Sequence, residues 1–246
     1  MTKAEKTPKV YEPFRFKKFV IEQKDCAMKV GTDGVLLGAW CDVSKATKAL
    51  DIGMGSGVIA VMLGQRCEAD IVGVEIEECA YLEAKMNMEN ADWSDRLMAK
   101  KAAIQDYAKL SRDEYDLIVS NPPFFSGGTF SHNQDRNNVR HTVKLGHGDL
   151  LTAARKLLTK DGKFCVILPL IEGLRFQEVA KSYALYCTKI TEVKSRPDGS
   201  VERLLMQFEK TAAEVPVKDE LAIYQQKGKK YSAEYIGLTK DFYLKM

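Results

Sequence analysis

The chain has 246 residues, of which 45% are hydrophobic and 29% charged, enough to bury a full core and too apolar for a wholly disordered protein. The formal net charge of +3 is unevenly placed, because residues 1–30 carry eight Lys or Arg against four Asp or Glu. That balance excludes a strongly acidic class and suits an anionic partner, although a Lys-rich terminus also serves as a solubilising tail.

No run approaches the roughly 18 apolar residues of a membrane span. The start Met1-Thr2-Lys3-Ala4-Glu5-Lys6 lacks the apolar segment of a signal peptide. A cytoplasmic protein with no membrane partner is expected. Cys26, Cys41, Cys67, Cys79, Cys165 and Cys187 are scattered without CxxC or Cys/His clustering, so they read as reduced core thiols and no metal site is expected. Length favours one α/β domain over residues 31–246, preceded by a basic extension over 1–30.

In chain order, Phe14 to Ile21 interleaves aromatic and basic residues at a period near two. This predicts a strand, hairpin-paired with Cys26 to Val30. Thr32 or Asp33 is placed to cap a short helix through Trp40. A strand follows at Lys48 to Ile52. It runs into Gly53-Met54-Gly55-Ser56-Gly57 and a helical apolar face from Val58. Glycines there allow a tight turn and close approach of backbone to a ligand, and the helix start offers unpaired N–H groups. The spacing is GxGxG rather than GxGxxG, so a plain strand-to-helix turn stays open as a reading.

The next strand, Asp70 to Glu75, ends in an acid 18 residues after Gly57, close to the roughly 20 of a ribose-binding carboxylate. Such a carboxylate accepts from both ribose hydroxyls and repels a 2′-phosphate. Glu77 to Asn90 reads as a helix with Cys79, Ala80, Leu82 and Met86 on its buried side. Leu97 to Ala102 is a strand candidate. Asp106, just beyond it, either borders an adenine ring or is a solvated acid at a helix start.

Tyr115 to Val119 has the β-branched content of a buried strand. Ser120-Asn121-Pro122-Pro123-Phe124-Phe125 ends it abruptly, since neither proline donates to a ladder. An amide and two aromatic rings are thereby set at the carboxyl end of a strand, where open α/β sheets bind ligands. Ser126 to Gly148 is a long polar loop containing Arg136, Arg140 and His141, suited to a phosphate or a base, or simply solvated. Asp149 to Leu158 predicts a helix, Gly162 to Leu168 a strand, and Glu172 to Ala184 a helix. Tyr186 to Lys194 and Val201 to Glu209 form a hairpin. Asp219 to Tyr224 is a further strand candidate, and Glu234 to Phe242 a closing helix. The alternation predicts an α/β three-layer sandwich whose sheet is parallel except near one edge.

A GxGxG loop after one strand, an acid closing the next and Asn-Pro-Pro-Phe closing the fourth resemble the class I S-adenosylmethionine-dependent methyltransferases that act on exocyclic or amide nitrogens. More closely, Phe16 to Trp40, Asp51 to Gly57, Asn121 to Phe125, Arg140-His141-Thr142 and Asp241-Phe242-Tyr243-Leu244 are similar to the bacterial tRNA(Val) adenine-N6 methyltransferase family, whose target is adenosine 37 beside the anticodon. The resemblance implies a Rossmann-like, mostly parallel seven-stranded sheet with an antiparallel terminal hairpin, and S-adenosylmethionine as cofactor. It assigns Lys29, Thr32, Asp51, Gly53, Gly55, Gly57, Glu75, Asp106 and Asn121 to the cofactor. Asn121, Pro122 and Phe124 fall to catalysis, and Phe125, Arg140 and His141 to the tRNA; Arg15, Lys17 and Lys18, basic residues on a short strand close in sequence to the cleft, are also expected to hold the RNA. A monomer is expected.

The adenine amino group is a poor nucleophile because its lone pair is delocalised into the ring. Two acceptors, the Asn121 side-chain oxygen and the Pro122 carbonyl, would each take one N–H and aim the nitrogen, while Phe124 stacks on the base. Ribosomal-RNA guanine-N2 and protein-glutamine N5 methyltransferases share much of the motif. From other classes, a nucleotide-binding oxidoreductase and a non-catalytic RNA-binding module are the competing readings. The incomplete GxGxxG counts against the first and the intact Asn-Pro-Pro-Phe against the second.

Overall fold

The computed structural model describes residues 11–123 and 145–246. β1 (Phe14–Arg15) and β2 (Val20–Ile21) pair antiparallel, Phe14 opposite Ile21. The partner expected at Cys26 to Val30 is not a strand. The chain reverses earlier, where the Phe16 N–H donates to the Phe19 carbonyl at 2.9 Å and the two rings stack with centroids 4.4 Å apart. Residues 22–31 are therefore a loop. Phe16, Phe19 and Ile21 are buried in one cluster with the first two helices, so the hairpin belongs to the core of the main body.

The remaining elements alternate: α1 (Thr32–Trp40), β3 (Lys48–Ile52), α2 (Val58–Arg66), β4 (Asp70–Glu75), α3 (Glu78–Glu89), β5 (Leu97–Lys101), α4 (Ile104–Leu110) and β6 (Tyr115–Ser120). From residue 145 onward come α5 (His147–Leu157), β7 (Leu158–Pro169), α6 (Leu170–Ser182), β8 (Tyr186–Lys194), β9 (Val201–Glu209), β10 (Val217–Ala222) and α7 (Ala233–Thr239). The large sheet has the order β10-β8-β9-β7-β6-β3-β4-β5. Among the described strands of this sheet only β9 runs antiparallel to its neighbours. Among the described residues the sheet has eight strands where seven are expected, because Val217 to Ala222 adds an edge strand parallel to β8.

β3 carries four consecutive buried residues, Ala49 to Ile52, as a central parallel strand covered on both faces requires. One helical layer holds α1, α2 and α3, and the other α4, α5 and α6, each over its own apolar cluster. From β3 the chain builds outward through β4 and β5 on one side, then crosses back to place β6 against the other side of β3. This is the topological switch point, and the carboxyl ends of its strands open into a crevice.

Two local expectations are corrected. α1 begins after Gly31, which has no side chain to cap it, so Thr32 and Asp33 lie inside the first turn, and Asp33 pairs with Arg203 of β9, with Nε 2.9 Å from its carboxylate. In α3 the buried face is Ala80, Glu83, Ala84, Asn87 and Met88, whereas Cys79, Leu82 and Met86 are exposed. All six cysteines are free thiols, but only Cys26, Cys41 and Cys165 are fully buried.

Candidate active site

The glycine loop lies at the switch point with Gly53, Gly55 and Gly57 at φ of +70°, +55° and +79°. Gly57 is also the N-cap of α2 and offers no side chain to the helix's unpaired N–H groups. Asp51 supplies the acceptor from the strand instead: its Oδ2 takes the Ala60 N–H at 3.2 Å. The loop is fixed from three other directions. The N–H groups of Gly53 and Met54 both reach the Val74 carbonyl, the Gly55 N–H donates to Glu75 Oε2 at 3.0 Å, and Asn87 Nδ2 donates to the Ser56 carbonyl at 2.9 Å. The cradle is preorganised by its own hydrogen bonds.

Glu75 closes β4 and is nearly buried. Besides Gly55, it accepts from the N–H groups of Ile76 and Glu77, both at 2.9 Å, which leaves room on the carboxylate for further donors. Asp51 is completely buried, and its Oδ1 has no hydrogen-bond partner among the described residues. Burial pushes its carboxyl up to about 7, the Ala60 bond pulls it down, and the charge of Glu75 raises it further.

A cleft of about 560 Å³ opens over the loop. Its walls are Met28 and Lys29, the start of α1 from Thr32 to Gly34, the loop residues Gly53 to Ser56, Asn121 just past β6, Arg203 of β9 and Tyr224 just past β10. Asn121 Nδ2 faces Met28 Sδ at 3.9 Å, while its Oδ1 is buried and unpartnered among the described residues. Ser120 fixes the end of β6 by donating to the Ile52 carbonyl at 2.8 Å. Pro122, next in the chain, is buried.

The structure thus brings Lys29, Thr32, Gly53, Gly55 and Asn121 to one cleft, with Asp51, Gly57 and Glu75 forming its underside. Lys29 has its ammonium committed to the carbonyls of Gln23, Lys24 and Cys26 and lies over the Tyr11 ring, so it braces the wall. Asp106 is not among the cleft residues; it sits exposed on α4 with Lys109 3.6 Å away. Arg15, Lys17 and Lys18 are exposed on the amino-terminal hairpin, and Lys17 Nζ donates to the Lys240 carbonyl at 2.6 Å. Phe124, Phe125, Arg140 and His141 lie outside the described residues.

Sequence reasoning missed Met28, Arg203 and Tyr224, which reach the cleft only through tertiary contacts. It also missed Glu83. That buried carboxylate accepts from the backbone N–H groups of Lys24, Asp25 and Cys26, while Asn87, one turn on, accepts from the Glu22 N–H and donates to its carbonyl. Acid and amide spaced i, i+4 beside small residues were the available signal.

A glycine cradle at the switch point of a mostly parallel sheet, with an acid closing the neighbouring strand, is the architecture of class I methyltransferases. A protein of Agrobacterium tumefaciens described as a predicted O-methyltransferase shares this fold with a TM-score of 0.69 at 17% identity, over 85% of this chain and 96% of that one. Residues 29–177 match the methyltransferase small domain family. The chain is 46% identical over 235 residues to a tRNA1(Val) (adenine(37)-N6)-methyltransferase of Trichodesmium erythraeum, covering 94% of this chain and 98% of its relative. A protein of the same name from Yersinia pseudotuberculosis is 41% identical over 233 residues, covering 94% and 92%. The chain belongs to the methyltransferase small domain family and, within it, to the family of these tRNA adenine-N6 methyltransferases.

Proposed function

We propose that the protein transfers the methyl group of S-adenosylmethionine to the exocyclic N6 of adenosine 37, beside the anticodon of tRNA(Val), as the names of its relatives indicate for them. The observation that carries the catalytic assignment is Asn121: a buried carbonyl oxygen without a partner among the described residues, at the carboxyl end of the strand next to the glycine cradle. A polar atom in that state is costly to fold, by about 1–3 kcal/mol, and its position matches the acceptor an amino group needs.

The residues fit S-adenosylmethionine. Asp51 Oδ1 is a second buried acceptor without a partner among the described residues, Glu75 places a second carboxylate beside the loop, and a Cβ at Gly53 would meet nothing within 4 Å, so the loop backbone faces open space. Gly53, Gly55 and Gly57 would cradle the nucleoside, Glu75 would accept from the ribose hydroxyls, and Asp51 would face the cationic methionine end. Thr32 and the wall braced by Lys29 would cover it. When bound, the cofactor supplies a methyl already activated on a sulfonium.

The work of the protein is then orientation. Asn121 Oδ1 accepts one N–H of the adenine amino group and the Pro122 carbonyl the other, so the nitrogen lone pair is released from the ring and aimed into the cleft. Positioning of this kind is worth up to ~7–11 kcal/mol in well-oriented cases. Phe124 is proposed to stack on the base, and Phe125, Arg140, His141, Arg15, Lys17 and Lys18 to hold the RNA around it. A base in a loop is already partly unpaired, which lowers the few kcal/mol that extraction takes from a duplex.

The test is nucleoside mass spectrometry of tRNA incubated with the protein and isotope-labelled S-adenosylmethionine. Labelled N6-methyladenosine at position 37 of tRNA(Val) is expected. Label in N2-methylguanosine, or in a protein glutamine alone, would overturn the assignment.

A further inference from the structure

Beside the cleft lies a second concavity of about 310 Å³, lined by Phe14, Tyr224, Tyr231, Tyr235 and Tyr243. The two share Gly31, Thr32 and Tyr224 as a common wall. Three separate segments supply the rings: the amino-terminal hairpin, the turn after β10, and α7 with the tail behind it. Tyr224 and Tyr231 stack at 5.3 Å with planes 15° apart, pinned by an antiparallel bridge between their backbones. Tyr231 lies 5.1 Å from Tyr235, and Tyr243 closes the array at 6.5 Å. Tyr235 is buried, but Tyr224, Tyr231 and Tyr243 stay half-buried around an open space. Packing alone would favour Phe or Leu, which bring no hydroxyl to desolvate.

The rim is cationic. Between Tyr224 and Tyr231 the chain makes a turn bearing Lys227, Lys229 and Lys230, all exposed and none in an ion pair with another described residue. The turn is held in place by Arg196, whose guanidinium donates to the carbonyls of Gln225 at 2.6 Å and Gly228 at 2.7 Å and lies 5.8 Å from the Tyr224 ring centre. An aromatic floor with a fixed row of lysines is the pairing that binds single-stranded nucleic acid, bases on rings and phosphates on cations.

We infer that this concavity takes the base of a nucleotide adjoining the target adenosine in the same RNA strand, with the lysine turn on its phosphates. The inference rests on the tRNA reading above and extends it to a second base. Its recognition is by stacking, so it tolerates different bases and gives affinity and register more than sequence readout.

The test is binding, by fluorescence anisotropy, of a hairpin RNA presenting the target adenosine in its loop, intact or with an abasic site at either neighbour. One of the two abasic hairpins should bind wild-type protein about 5- to 150-fold more weakly. Tyr231→Leu should lose a similar factor on the intact hairpin, lose little more on that abasic one, and keep the wild-type affinity for S-adenosylmethionine. Replacing Lys227, Lys229 and Lys230 by Ala, all on an exposed turn, should lower the slope of log affinity against log salt by roughly 0.7 for each phosphate they neutralise. Equal binding of intact and both abasic hairpins by wild type, or losses from Tyr231→Leu and the abasic site that multiply independently, would overturn the inference while methylation by wild type still upholds the tRNA reading. A wild-type protein that neither binds nor methylates the hairpin would overturn both.

Discussion

Asp51 weakens the free protein at neutral pH, and that makes it the most informative single residue beneath the cleft. A fully buried carboxyl with one oxygen unpartnered among the described residues holds its proton to about pH 7, against about 3.9 when unfolded. The folded form is therefore favoured below pH 4, and this advantage is lost as pH rises through 7, up to about 4 kcal/mol for such a shift. Asp51→Asn keeps an acceptor for Ala60 and removes the ionisation. It should melt several degrees higher than wild type at pH 8 and within experimental error of it at pH 4, read by calorimetry. The same substitution should weaken S-adenosylmethionine binding at pH 8 and flatten the rise in affinity that wild type shows as Asp51 ionises. A variant no more stable than wild type at pH 8 would contradict this account of the carboxyl.

At the scale of elements, the glycine cradle is held by α3 as much as by its own strand. Glu83 gathers three backbone N–H groups of the loop at residues 24–26, and Asn87 ties both that loop and Ser56 to the helix. Glu83→Ala should cost about 2–4 kcal/mol, since one buried and two part-buried donors lose their charged acceptor, while Glu83→Gln, which keeps one oxygen, should cost less. Urea unfolding gives the measurement, as a lower midpoint at an unchanged slope. A loss under about 1 kcal/mol would mean that water replaces Glu83 freely. This helix also shows where the sequence stopped being legible. The run from Asp51 through the glycines into Val58, the acid at Glu75 and the break at Asn121-Pro122 each join a local pattern to a known place in a parallel sheet, and all three were readable. The inward face of α3 was not, because its polar residues answer the backbone of a loop some sixty positions away, which no periodicity records. For a similar reason Cys26 to Val30 does not pair with Phe14 to Ile21: the alternation on the first arm marks a hairpin, but Phe16 and Phe19 close it earlier.

Across the whole molecule, the basic amino-terminal hairpin and the aromatic carboxyl-terminal tail meet on one side of the cleft, joined by the bridge between Phe16 and Tyr243. Arg15 and Lys18 are exposed there, whereas Lys17 is engaged with the Lys240 carbonyl. Replacing Arg15 and Lys18 by Ala should therefore reduce the salt slope of tRNA binding by roughly 0.7–0.9 for each phosphate no longer neutralised, with cofactor affinity unchanged. An unaltered slope would take the hairpin out of the RNA path. The central claim is that Asn121 orients the nucleophile, and single-turnover methylation of tRNA(Val) by Asn121→Ala, beside a cofactor titration, tests it most directly. By analogy with losing one preorganised group at an oxyanion hole, the transfer rate should fall about 10²–10³-fold while cofactor affinity holds, and Asn121→Asp, which retains an acceptor, should keep part of the activity. Transfer at the wild-type rate by Asn121→Ala would contradict the account.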